Sequence, residues 1–307
     1  MPVQPEDHQS YLDFAKNIAQ KLDFEGALPK VVWHYTTASG LLGILESGSV
    51  FSTQLACLND QTELRYTVTL VRSALLAMRH MEHDDQDIEF LLDMIQRSAT
   101  VDTAIISDFY VSCFSEKCDD LSQWRAYGGG ENGYAIGFHT QLLISAHSLI
   151  ARVNYNNALH QKIAAEVAAA FLHFFKQGLN DERSSSREEW IVEFASAWDA
   201  AVGQIGPMVK DPAFSAEAEY RCIHKLGYDE GSKIVFRQKQ GLLARHLPLV
   251  FPPASRPTSR LLPIVEIIVG PCRHPAVSKA SIDVLLQQNG YANLATSRIS
   301  SIPFQVT

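Results

Sequence analysis

Three ionisable side chains fall at every second position in the stretch F-S-A-E-A-E-Y-R: Glu217, Glu219 and Arg221. In an extended strand, side chains two residues apart share a face, so this spacing sets two carboxylates and a guanidinium in one ladder. Such a ladder is either solvated or lines a cleft, where the arginine holds the nearer carboxylate ionised. Two further groupings bear chemical functionality. V-V-W-H-Y-T ends an apolar run on an imidazole, a phenol and a hydroxyl, His34, Tyr35 and Thr36, which either tie off a strand end or face a ligand. L-S-Q-W-R-A-Y-G-G-G places Trp124 and Tyr127 three apart, ahead of glycines that give a loop freedom to close over a ligand. Each grouping also has a bland reading. Lone E-x-E pairs are commonly solvated, a histidine at a strand end is commonly structural, and Trp124 with Tyr127 makes a core-facing helical pair. The glycines lack the lysine-bearing pattern of a phosphate loop.

The elements that must position these residues are short strands at both ends of the chain with helices between. K-V-V-W-H-Y reads as a strand, and T-A-S-G-L-L-G-I-L-E-S-G as a capped helix with Leu41, Leu42, Ile44 and Leu45 on one side and Gly48 as its stop. V-F-S-T-Q, D-F-Y-V-S-C-F-S and Y-A-I-G-F-H continue the strand set, followed late in the chain by E-A-E-Y-R-C-I-H-K-L, S-K-I-V-F-R-Q-K, L-P-L-V-F and V-E-I-I-V-G. Helices are expected over 9–23, from Glu63 to about Met94 with a break at E-H-D-D-Q-D, over 157–180 and 186–206, and over 277–288. This order predicts one α+β domain over residues 1–307, with a helical insertion at about 157–206.

Composition narrows the function. The 307 residues are 46% hydrophobic and 20% charged, enough for a sizeable core, and the net charge of −8 argues against a bulk electrostatic grip on nucleic acid while leaving room for a local basic cleft. Five scattered cysteines without a C-x-x-C pair suggest neither a zinc site nor a disulfide framework. The N-terminal stretch lacks the features of a signal peptide, and no run of eighteen apolar residues occurs, so a soluble cytoplasmic protein with no metal and no membrane partner is expected.

The order H-Y-T-x-x-x-G-L-x-x-I-L-x-S-G, L-N-D, C-F-S, L-S-x-W-x-x-Y, G-x-A-I-G-F, F-x-x-E-x-E-Y-R, I-I-x-G-P and S-x-I-P-F resembles a bacterial family catalogued as a domain of unknown function, DUF2971. The first element is also similar to the opening of ADP-ribosyltransferase folds, which DNA-modifying toxins and RNA 2′-phosphotransferases share. That resemblance implies a split β-sandwich binding NAD. His34, Tyr35 and Thr36 would hold the ribose and the nicotinamide amide, and an aromatic residue, Trp124 or Tyr127 near Ser115, would stack on the ring. Arg125 or Arg237 would hold the pyrophosphate, with Arg221 beside them. Glu219 would be the catalytic carboxylate, with Glu217 assisting the acceptor. The chemistry suits the residue types, because a carboxylate beside the anomeric carbon stabilises an oxocarbenium-like transition state. The function implied is an NAD-dependent ADP-ribosyltransferase or NAD-hydrolysing effector, a toxin or defence protein with an antitoxin or regulatory partner. Two alternatives stand beside it: an RNA 2′-phosphotransferase-like enzyme, and a non-catalytic ligand-binding or interaction module.

Overall fold

The computed structural model describes residues 27–58, 61–79, 86–98, 109–129, 133–144, 148–179, 186–239, 241–251 and 261–303, with residue 17. The helix expected over 9–23 therefore lies, but for that one residue, outside the described residues. In chain order the elements are β1 (Val31–Thr36), α1 (Ala38–Ser47), β2 (Val50–Gln54), α2 (Gln61–Arg79), α3 (Gln86–Ser98), β3 (Phe109–Ser115), α4 (Leu121–Tyr127), β4 (Tyr134–His139), β5 (Ser148–Arg152), α5 (Asn157–Leu179), α6 (Arg187–Ile205), β6 (Glu219–Lys225), β7 (Val235–Lys239), β8 (Leu242–Leu249), β9 (Ile264–Val269), α7 (Pro275–Gln288) and β10 (Thr296–Ile299). The protein is α+β. Two compact units share the chain, one of residues 1–24, 55–109 and 153–214, the other of residues 25–54, 110–152 and 215–307.

The helical unit is built on aromatic packing. Phe171 of α5 lies 4.8 Å from the ring of Phe194 and 4.9 Å from that of Trp198, both on α6. Trp190 donates its indole N–H to the Phe175 carbonyl at 3.2 Å, so its one polar atom is satisfied inside the core. His160 gives its Nε2 proton to the Asn154 carbonyl at 3.0 Å, which leaves Nδ1 to accept from the Tyr66 hydroxyl at 3.0 Å. Burial lowers the pKa of this imidazole against the opposing pull of that carbonyl, so it sits neutral between its partners.

The other unit is a ten-stranded sheet ordered β10-β9-β4-β1-β3-β2-β8-β7, with β6 joined to β3 and β5 to β6. The sheet thus branches at β3, which meets β1, β2 and β6. Strand alternation sorts the side chains onto two faces. Val32, Phe114, Ile136, Phe138, Tyr220, Cys222, Ile267 and Val269 enter the large core, whereas Trp33, Tyr35, Ala135 and Ile268 turn the other way and pack with Trp124. Each fully buried aliphatic or phenyl side chain contributes about 1.5–3 kcal/mol of transfer free energy. The local signals at α1 act as expected at its two ends. Thr37 caps its start by accepting from the Gly40 N–H at 3.3 Å, and Gly48, in the left-handed region at φ 60°, closes it with a bond to the Ile44 carbonyl at 3.0 Å. Leu42 departs from expectation: helical spacing buries Leu41, Ile44 and Leu45 and leaves Leu42 42% exposed.

β5 and β6 are clasped by polar side chains on their paired residues. Ser148 lies opposite His224, its hydroxyl 2.7 Å from Nδ1, and Nε2 of the same ring lies 2.7 Å from Oε2 of Glu230. Burial alone would raise the pKa of Glu230, but the Gly227 N–H, His224 and Lys233 outweigh it and hold the carboxyl at about 2 against an ordinary 4.5. A carboxyl whose folded pKa is depressed stabilises the fold above its ordinary pKa, and loses that contribution as pH falls toward the folded value. Glu230→Gln is therefore expected to cost about 1 kcal/mol at pH 7 after screening, a deficit that shrinks as pH drops below about 4.5. Denaturant titrations of both proteins at pH 7, 5 and 3 check it, and a deficit that does not change with pH would mean that charge has no part in the clasp.

Candidate functional site

The E-x-E-x-R ladder does not form. β6 begins only at Glu219, while Glu217 ends a 3₁₀ turn (Pro212–Glu217). Between them Ala218 has φ 45°, the only positive value at a non-glycine among the described residues. An L-residue in that conformation costs about 1–2 kcal/mol and breaks the strand's alternation. Ala218 is held there on both sides, its N–H donating to the Ser215 carbonyl at 3.2 Å and its own carbonyl accepting from the Glu116 N–H at 3.0 Å. The two carboxylates consequently have separate surroundings. Glu219 and Arg221 do share a face, and one fork joins them: Nε to Oε1 at 2.8 Å and Nη2 to Oε2 at 3.1 Å. Glu219 is 4% and Arg221 1% exposed. Tyr220 and Cys222 enter the large core from the opposite face of β6, so the ion pair points away from it.

Glu217 is only partly buried, and Ser115, Gln123 and Tyr127 meet it. Its carbonyl accepts from the Ser115 hydroxyl at 2.7 Å and lies 3.5 Å from the amide nitrogen of Gln123. Its carboxylate Oε1 accepts from the Tyr127 hydroxyl at 3.1 Å. Tyr127 is 40% exposed at the end of α4, so phenol and carboxylate meet at the protein surface. Two residues before Ser115, the Cys113 carbonyl lies 2.9 Å from His34 Nδ1. A carbonyl only accepts, so Nδ1 carries the proton and the neutral ring presents Nε2 as an acceptor. Burial lowers the pKa of His34 against the opposing effect of that carbonyl, which keeps the ring neutral at pH 7. The partners of His34 and Glu217 lie two residues apart on β3, but the register Trp33↔Ser115 puts Ser115 on the face of Trp33, opposite that of His34.

Thr36 ends β1 and packs on the start of α1. Its hydroxyl lies 2.0 Å from where a Cβ on Gly40 would be, which explains the T-x-x-x-G spacing as close packing at the start of α1. The glycines after Tyr127 also serve contact. A Cβ on Gly133 would lie 2.5 Å from the Gly128 Cα, so the two ends of that turn touch in a way that only glycine allows. The expectation that these glycines free a lid is therefore replaced, for Gly128, by tight packing. Arg125 is exposed in the last turn of α4.

Three expected ligand contacts lie elsewhere. Tyr35 falls on the face of β1 opposite His34, because adjacent residues of a strand alternate. Its hydroxyl donates to the Lys117 carbonyl at 2.8 Å and accepts from the Asp120 N–H at 3.1 Å, and its ring meets Trp124 edge-on at 4.7 Å. Trp124 is 5% exposed and gives its N–H to Asp119 at 2.9 Å, so these two rings seat α4 and do not face a ligand. Arg237 lies on β7, four strands from β1 and so about 19 Å away across the sheet, with its guanidinium 3.6 Å above the Phe51 ring.

Two residues with no motif signature complete the arrangement. Asp120 caps α4 by accepting from the backbone N–H groups of Ser122 and Gln123 at 2.9 and 3.2 Å. Asp119 takes the Trp124 N–H, the Ser300 hydroxyl at 2.6 Å and the Ser301 N–H at 2.7 Å. The only advance signal was the D-D-L-S-Q run, which reads as an N-cap. Among the described residues, no group of three or more histidines, cysteines and acids is placed to hold a metal, and no helix is long and apolar enough to cross a membrane.

Residues 123–222, about a third of the chain, match the family described as Protein of unknown function (DUF2971). The chain carries a DUF2971 region. No curated protein and no solved structure gives a significant match. The DUF2971 region opens on Gln123, at the amide that reaches Glu217, and closes on Cys222. It therefore holds Tyr127, Glu217, Glu219 and Arg221 in one segment, and Ser115 meets Glu217 from outside it.

Proposed function

We propose that the protein cleaves the N-glycosidic bond of NAD, as an ADP-ribosyltransferase or NAD hydrolase, with Glu217 as the carboxylate at the reacting ribose. The observation that carries this reading is the Tyr127–Glu217 pair at the surface, on a backbone turned out of the strand by a left-handed alanine. Strain of that kind persists where the surrounding structure holds it, and it clusters at functional sites. The branched sheet is compatible with the split sandwich of this enzyme class.

In this reading the bond between ribose C1′ and nicotinamide breaks and nicotinamide leaves with the electron pair. The Glu217 carboxylate offsets the positive charge that develops on the sugar. The oxygen of water or of an acceptor then bonds to C1′, and its proton passes to the carboxylate. His34 Nε2 accepts from a ribose hydroxyl or the nicotinamide amide, Thr36 offers a hydroxyl beside it, and the exposed Tyr127 ring stacks on nicotinamide. Arg125 supplies a guanidinium for the pyrophosphate. A 2′-phosphotransferase is less well supported, because it needs cations at the centre and the guanidinium of Arg221 is forked onto Glu219. A biological setting as a toxin or defence effector, held in check by a partner, follows from the same reading.

Incubation with NAD, with chromatography for free nicotinamide and calorimetry for binding, tests the proposal. Cell extract is added in a parallel arm to supply acceptors. Release of nicotinamide in either arm is the expected result. Binding without release in both would leave a ligand-binding module, and no binding at millimolar NAD would end the NAD reading.

A further inference from the structure

From Gly231 to Val265 the sequence holds six lysines and arginines and no aspartate or glutamate, in a chain whose net charge is −8. Within this run lies the β7–β8 hairpin, at the edge of the sheet. The hairpin also exposes large apolar side chains, with Phe236 63% and Leu243 74% exposed. The pairing Phe236↔Arg245 and Gln238↔Leu243 puts Phe236, Leu243 and Arg245 on one face, an aromatic ring beside a cation. On the other face the exposed Arg237 holds its guanidinium carbon over the Phe51 ring, 3.6 Å from its centroid. His246 completes that side, its Nδ1 3.2 Å from the Thr53 hydroxyl.

We infer that this hairpin is a binding surface for single-stranded nucleic acid. Arg237 and Arg245, one on each face of the edge hairpin, meet a phosphate backbone passing that edge, and exposed aromatic rings and guanidinium groups accept unstacked bases with little regard to sequence. Charge complementarity selects the partner, because a local excess of cations attracts a polyanion. Phe236 and Leu243 argue for stacking beyond mere charge attraction, since a surface that only attracted phosphate would not need them. A duplex, whose bases are already stacked, is a poorer fit. The surface lies about 19 Å across the sheet from β1 and its occupation needs no NAD, so the inference stands apart from the enzymatic reading.

Fluorescence anisotropy with labelled oligo-dT and oligo-U of about 20 nucleotides, without NAD, tests it directly. Expected are binding in the micromolar range at 50 mM salt, a clear preference for single strand over duplex, and a log–log salt slope of about −2, as three or so phosphate contacts predict. Arg237→Glu with Arg245→Glu should weaken binding at least 30-fold, and Phe236→Ala about 10-fold, with melting temperatures unchanged. If the charge reversals disturb the fold, Arg237→Gln with Arg245→Gln keeps the test open with an expected loss of about 10-fold. Four results overturn the inference: no binding at 50 mM salt, binding indifferent to the arginine changes, binding indifferent to Phe236→Ala and matched by heparin, or sedimentation showing the patch covered by a second copy of the chain.

Discussion

Glu217→Gln is expected to lower the rate of nicotinamide release by about 10²-fold or more while NAD binding stays within a few-fold of the parent. The substitution keeps the acceptor oxygen for the Tyr127 hydroxyl and changes only the charge. A loss confined to kcat is the signature of an interaction made in the transition state, here between a carboxylate and a developing oxocarbenium ion. The resemblance to E-x-E transferases implies Glu219, the second glutamate, whereas we propose Glu217. Glu219 already spends both oxygens on Arg221, at 2.8 and 3.1 Å. Tyr127→Phe should behave as a milder version of Glu217→Gln, since it removes the hydroxyl that aims the carboxylate and keeps the ring. If Glu217→Gln turned over NAD at the parental rate, the assignment of Glu217 would be lost.

Glu219→Gln is expected to act on stability instead, by about 3–5 kcal/mol. Removing one charge of a buried pair leaves the other in a site where water cannot replace it. For a chain of this size the melting temperature should fall by roughly 6–20 °C. The companion variant Glu219→Gln/Arg221→Met removes both charges with similar volume and should recover much of the loss, because a buried ion pair stabilises little relative to a well-packed apolar pair. Thermal melts of the three proteins decide the matter. A Glu219→Gln protein that melts like the parent but no longer releases nicotinamide would return the catalytic role to Glu219.

The parts of the fold that were legible in the sequence are those in which a local signal and the tertiary environment agree. Thr37 and Gly48 mark the ends of α1 because capping and left-handed closure are local events. The two long helices appear as Asn157–Leu179 and Arg187–Ile205, close to the 157–180 and 186–206 expected, because their alanine, leucine and aromatic content favours helix and core together. Ala218 was opaque for the opposite reason. Nothing in A-E-A-E announces a left-handed residue, since its conformation is imposed by hydrogen bonds to Ser215 and Glu116. The faces of Tyr35 and Trp124 were likewise hidden, because a stretch of three aromatic or polar residues does not say which side of the sheet is wet. The Ser148–His224–Glu230 clasp needed the register of β5, a strand without a clear pattern of its own.

The seating of α4 has a consequence in time. Asp119, which holds Trp124, is itself held by Ser300 and Ser301, 181 and 182 positions further along the chain. At translation rates of about 5–20 residues per second, a ribosome makes the helix bearing Tyr127 roughly 10–35 s before it makes the residues that fasten it. Closing so long a loop is also slow compared with forming local helix and hairpin contacts, so this fastening belongs among the late events of folding. A chain still emerging from the ribosome thus builds the surroundings of Tyr127 and Glu217 before Ser300 and Ser301 are there to fasten Asp119.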